Sequence, residues 1–204
     1  MKKALTQVLA CLLVISLCAC GNGGNQKAFE SASTAFDSID AAYMLTEQFG
    51  ADIYEAWRLG IYDKDDISVS YLAGELHLSE DEINAAIDEF AGISGLGDTF
   101  FLLHKDEMFS ACVLLVSKAY ELNGDVEIIT NHLSEAKAEM KEMSEKYSDY
   151  EHYPNLKGYF TKTNAFFEFC QNPTGSFEQV KDTINSYRND AREFRNDLAY
   201  IFED

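Results

Sequence analysis

Apolar residues recur in steps of three and four along most of this chain. From residue 28 to 60 the series is Phe29, Ala32, Phe36, Ile39, Tyr43, Thr46, Gly50, Ile53, Trp57 and Gly60. A seam of that period predicts one long helix packed along its length. At 1.5 Å per residue it spans roughly 45–50 Å. A second seam, Phe177, Val180, Ile184, Tyr187, Ala191, Phe194, Leu198 and Ile201, follows the breaker Asn172-Pro173-Thr174-Gly175. Ser176 with Gln179 forms its capping box. A third, Ile129 to Tyr150, opens at Gly124-Asp125 as breaker and cap.

The intervening stretches are also helical in pattern. Residues 66–77 and 80–92 read as two short helices, with Asp66 as N-cap of the first and a Ser79/Glu82 capping box on the second. Residues 99–122 are apolar on most faces and predict a central helix. Residues 154–171 predict another, with Pro154 in its first turn. No β alternation runs beyond four residues. The expected fold is all-α: an antiparallel helical bundle of about six helices, the long ones heptad-like.

Composition agrees with a packed domain. The chain has 204 residues, 47% of them hydrophobic, and only two prolines. A net charge of −19 argues against nucleic-acid binding, which needs clustered cations.

The first twenty residues follow different rules. Met1-Lys2-Lys3 is a basic start, Ala4–Leu17 is mostly apolar, and Leu17-Cys18-Ala19-Cys20 leads into Gly21-Asn22-Gly23-Gly24-Asn25. This resembles the signal and lipobox of bacterial lipoproteins, over residues 1–20 only. The resemblance implies cleavage after Ala19, acylation of Cys20 (palmitate-type chains) and an extracytoplasmic, lipid-anchored location. The expected organisation is therefore 1–19 signal peptide, 20–27 lipid anchor and flexible tether, 28–204 a single helical domain. Losing the leader removes two lysines and no acid, so the mature chain is more acidic still. Cys112 and Cys170 then remain, in apolar helical surroundings that suit buried free thiols, although a disulfide between them stays open.

Catalytic and metal patterns are weak. Asp63-Lys64-Asp65-Asp66 has Ser68 and Gly74 where a calcium loop needs Gly and Glu. None of His77, His104, His132 or His152 has a Glu three residues before it, as di-iron bundles require. The helix-turn-helix rhythm at 72–83 carries acids where a recognition helix needs cations or amides. No cofactor is expected, and no nucleophile elbow occurs.

Two groups are candidate binding residues. Arg188, Arg192 and Arg195 step along the last helix and are three of only four arginines. Ion pairing to neighbouring acids is the favoured expectation, with recognition of an anionic partner as the other. Tyr150, His152 and Tyr153 lie in a connector, where they either plug the bundle or greet a protein or sugar. The chain is thus expected to be a lipid-anchored interaction or binding module and not an enzyme. Its partner would be an unidentified protein or small molecule. The alternative is a ligand- or solute-sensing bundle with an interior pocket. A binding module predicts an aromatic patch near 147–160, a sensor a polar-lined concavity, and an enzyme buried acid or His clusters.

The lipobox yields a direct prediction. Mass spectrometry of membranes should find a mature chain starting at acylated Cys20. Membrane recovery of Cys20→Ala at the wild-type level, with no lipid-sized mass, would refute the assignment.

Overall fold

The structure, a computed structural model, describes the backbone of residues 2–203 and the side chains of residues 24–203. Cys20 and the leader side chains lie outside the described residues. Among the described residues all regular structure is helical, with no strand. The helices are α1 (Lys2–Tyr62), α2 (Val69–Glu75), α3 (Glu80–Ala91), α4 (Thr99–Leu103), α5 (Met108–Leu122), α6 (Asp125–Lys146), α7 (Tyr153–Gln171) and α8 (Phe177–Phe202). A single 3-10 turn at Lys105–Glu107 joins α4 to α5. No helix among the described residues is long and apolar enough to cross a membrane.

The centre of the molecule is α1, which packs against α5, α6, α7 and α8. The helix continues through the residues assigned above to leader and tether. Residues 24–27 are exposed, and Ala28 is its first buried side chain among the described residues. Four neighbours need more than one apolar stripe. Beside the seam read from the sequence, Ala35, Ala42, Phe49 and Ala56 repeat every seven residues and are buried too. Small residues set how close the neighbours come. A Cβ on Gly60 would lie 2.3 Å from the Cα of Phe109, so α5 begins in backbone contact with α1. A Cβ on Gly50 would meet the Phe166 ring of α7 at 2.6 Å. Overpacking at such sites costs about 1–3 kcal/mol.

Both capping boxes form: Ser79 with Glu82 opens α3, and Ser176 with Gln179 opens α8. The seam of α6 is buried from Ile129 to Met143. On α8, Val180, Ile184, Ala191 and Leu198 are buried. Phe194 is half-buried and rests where Gly158 leaves space on α7.

Three expectations are corrected. Asp66 does not cap α2; the helix starts later, and Ser68 accepts from the Tyr71 N–H. The stretch 99–122 is not one helix. His104 N–H is shared between the carbonyls of Phe100 and Phe101, and the polar run Lys105-Asp106-Glu107 tightens to a 3-10 turn. That break turns Leu102 and Leu103 outward, 76% and 68% exposed, so α4 is buried only through Phe100 and Phe101. Finally, α6 stops at Lys146, so Tyr147 of its expected seam joins Tyr150 in the connector, while Tyr153, expected in that connector, is the first residue of α7.

Candidate functional site

Asp52, on α1, is the sole charged residue that is buried among the described residues. Three groups come to it. The Tyr120 hydroxyl of α5 donates to Oδ2 at 2.9 Å. The backbone N–H of His77 reaches Oδ1 and Oδ2 at 3.2 and 3.1 Å. His77 Nδ1 lies 2.7 Å from Oδ1, and against a carboxylate it must carry the proton. Burial pushes the Asp52 carboxyl above its ordinary range, while the bonds from His77 and Tyr120 pull the other way. Burial, and then the neighbouring Asp52 charge, pushes the Tyr120 hydroxyl up.

This knot fixes the corner between α2 and α3 to α1 and α5. The Asp98 carboxylate does similar work next door, accepting the Val69 N–H at 2.7 Å. Together they place the end of α3 beside the start of α5, where an open hollow of the surface lies.

That hollow is a groove of about 490 Å³. Trp57 and Val113 form its floor, both largely buried, and Phe90, Phe109 and Leu114 stand around it at 44%, 43% and 49% exposure. Trp57 stacks on Phe109 with ring centres 6.0 Å apart, a contact that the close approach at Gly60 permits. Ser110, Ser117, Lys118, Glu121, Gln171 at the end of α7 and residues 172–174 of the connector after it supply the polar rim. Gln171 is shared with a second hollow of about 500 Å³ between α6 and α7, lined by Leu133, Phe160 and Phe167 with Ser134, Asn164 and Glu168. The apolar groove thus meets a mixed polar one at a single residue.

The residues singled out from the sequence lie elsewhere. Arg195 Nε donates to Asp40 at 2.6 Å, and its Nη2 also reaches Glu203 at 3.1 Å. Arg192 donates to Glu47. Arg188 Nε is 3.1 Å from the same Glu47 oxygen. All three guanidiniums therefore meet carboxylates, two of the three on α1 alone. Tyr150 and Tyr153 are half-buried against the core. His152 meets Tyr150 edge-on at 5.4 Å and Phe202 at 6.4 Å. These rings close the bundle at the Phe29–Phe202 end, away from the groove. Cys112 and Cys170 are free and buried, and burial lifts the Cys112 thiol to about 12. Neither is a thiolate at neutral pH.

Sequence reading missed the Asp52 knot and the groove. Asp52 has one local signal, an acid enclosed between Ala51 and Ile53 in a helix with apolar positions on several faces. The groove has none, because its residues come from α1, α3, α5, the end of α7 and the connector after it. Among the described residues no group of three or more His, Cys, Asp and Glu could hold a metal ion. No protein-family model, curated protein or solved structure matches the chain.

The Asp52 knot carries a pH signature. An acid whose carboxyl is raised in the fold holds its proton more tightly there than in the unfolded chain. Stability from this group is therefore lost as pH rises from the unfolded value, about 3.9, through the raised folded one. Asp52→Asn is close in shape and cannot ionise. Urea unfolding at pH 4 and 7 should show wild type losing ground to the variant on the way up. A difference that stays flat, or moves in favour of wild type, contradicts this account of the site.

Proposed function

We propose that this chain is a non-enzymatic, lipid-anchored binding module on the outer side of a bacterial membrane. Acyl chains on Cys20 hold it there, and the groove at Trp57 receives an apolar segment of a partner. The bundle is read as antiparallel. Supporting that reading, the five residues between α7 and α8 are too few to bring back two packed helices in the same direction.

The observation that carries the proposal is the convergence of Phe90, Phe109 and Leu114 on one open groove. Other large apolar side chains are exposed elsewhere, Leu102, Leu103 and Ile93 among them, but Phe90, Phe109 and Leu114 line one groove, and contiguous exposed patches mark interaction sites. Position adds support. Trp57 lies about 44 Å along α1 from Ala28 at 1.5 Å per residue, so the groove sits far from the anchored end. The Asp52 knot supports the non-enzymatic part. Its oxygens are occupied by donors of the same chain, and among the described residues no hydroxyl or thiol is hydrogen-bonded to His77. The volume also favours a second reading, since small-molecule sites occupy about 300–1,000 Å³. In that case the groove binds a free apolar ligand and the chain is a sensor.

Site-specific photocrosslinking in intact membranes tests the first reading. A photoreactive residue at Leu114 should give one discrete protein adduct, and one at the exposed Tyr200 should not. The same pattern from both positions, or no protein adduct from Leu114, counts against a protein partner.

A further inference from the structure

Arg188 has a charge that its neighbours balance only in part. Glu47 is shared: one of its oxygens takes a hydrogen bond from Arg192 and also lies 3.1 Å from Arg188 Nε. The Arg188 N–H is not aimed at that oxygen, so its buried Nε has no acceptor. Among the described residues Arg188 makes no hydrogen bond at all, although its side chain is only 24% exposed. Two guanidiniums thus draw on one carboxylate, and the poorly served one is mostly out of water. Leaving a charged donor in that state costs free energy that a bound anion would recover.

Beside Arg188 there is a small pocket of about 160 Å³, lined also by Tyr54, Lys181, Ile184 and Asn185. Residues 181, 184, 185 and 188 lie on one face of α8, three and four apart. Tyr54 closes the pocket from α1, where it stacks on Phe177 at 5.5 Å. The nearest acid to Lys181 is Glu178, at the long distance of 3.5 Å and on the exposed side. The pocket therefore combines a guanidinium with unused donors, an ammonium and a carboxamide. That set matches the oxygens of one small oxyanion.

We propose that this pocket is a binding site for a small oxyanion, planar like a carboxylate or tetrahedral like a phosphate. Arg188 is the fork that holds it, and Lys181 and Asn185 complete the shell. The site is separate from the groove at Trp57 and does not depend on it. It also explains why α8 has three arginines while α1 offers only two facing carboxylates. Arg192 and Arg195 hold the helices together, and Arg188 is left for a ligand.

Nitrogen-15 NMR of the full chain reads the Arg188 Nε–H directly. Titration with inorganic phosphate, and separately with acetate, should move that signal saturably in at least one arm, and the stronger arm assigns tetrahedral or planar geometry. Chloride at matched ionic strength should not reproduce the shift. Lys181→Gln alters a half-buried position outside the core and should fold normally, and it should weaken binding by about tenfold, the loss of one charge-assisted contact. Arg188→Gln should abolish saturable binding, read then from neighbouring amides of α8. The proposal is overturned if chloride gives the same shift, if neither oxyanion saturates, or if Lys181→Gln binds as wild type does.

Discussion

Packing four helices around one leaves it little solvent face, and from Leu45 to Gly60 no residue of α1 stands exposed, so a charge buried in that stretch must be met inside the fold. In this chain that demand falls on Asp52. A buried carboxylate without donors would lose its charge or unfold its surroundings. Here the Tyr120 hydroxyl, the His77 ring and the His77 N–H all arrive at it, from α5 and from the corner before α3. The acid thereby specifies which surfaces of those elements face α1. Orientation of α3 and α5 follows, and with it the meeting of Phe90, Phe109 and Leu114 above Trp57. Glycine does the complementary work on the backbone. At Gly60 and Gly50 the neighbouring helices come so close that any side chain would strike Phe109 or Phe166.

Much of the helix pattern was legible from residue spacing. Seams on α6 and α8 and both Ser-led capping boxes rest on local chemistry, and local chemistry is written in consecutive residues. Other features depend on assembly. Ala35, Ala42, Phe49 and Ala56 do not announce a second buried stripe, because alanine is at home on either face of a helix. The break at His104 was hidden by the apolar run Phe100–Leu103, whose spacing suits a helix but whose polar successors do not extend it. For Tyr150 and Tyr153 the residue pattern leaves two readings open, a plug for the bundle's end or a recognition patch, because both fall in the expected connector. In the structure they pack against the core. The groove was not legible at all, since Trp57, Phe90, Phe109 and residues 171–174 are distant in sequence and meet only in the fold.

Charge is distributed to match this division of labour. Acids outnumber bases by 35 to 16 along the chain. Arg192 and Arg195 hold α8 to α1, through Glu47 and Asp40. Exposed pairs of this kind contribute only about 0–1 kcal/mol each, so packing along the seams supplies most of the cohesion. Against that acidic background an open apolar groove and an incompletely paired guanidinium stand out, because in each the unsatisfied groups converge on one hollow. Both are expected where a partner or ligand completes what the chain leaves unfinished.

Trp57 is the only tryptophan of the chain and forms the floor of the groove, so its emission reports occupancy without a label. The most direct measurement is titration of the full chain with Nile red, a neutral apolar dye that the charged surface does not attract. The account predicts saturable quenching of Trp57 with matching gain in dye emission, lost in Leu114→Glu. Equal dye binding by wild type and Leu114→Glu, or dye binding that leaves Trp57 unquenched, would contradict the groove as the binding surface.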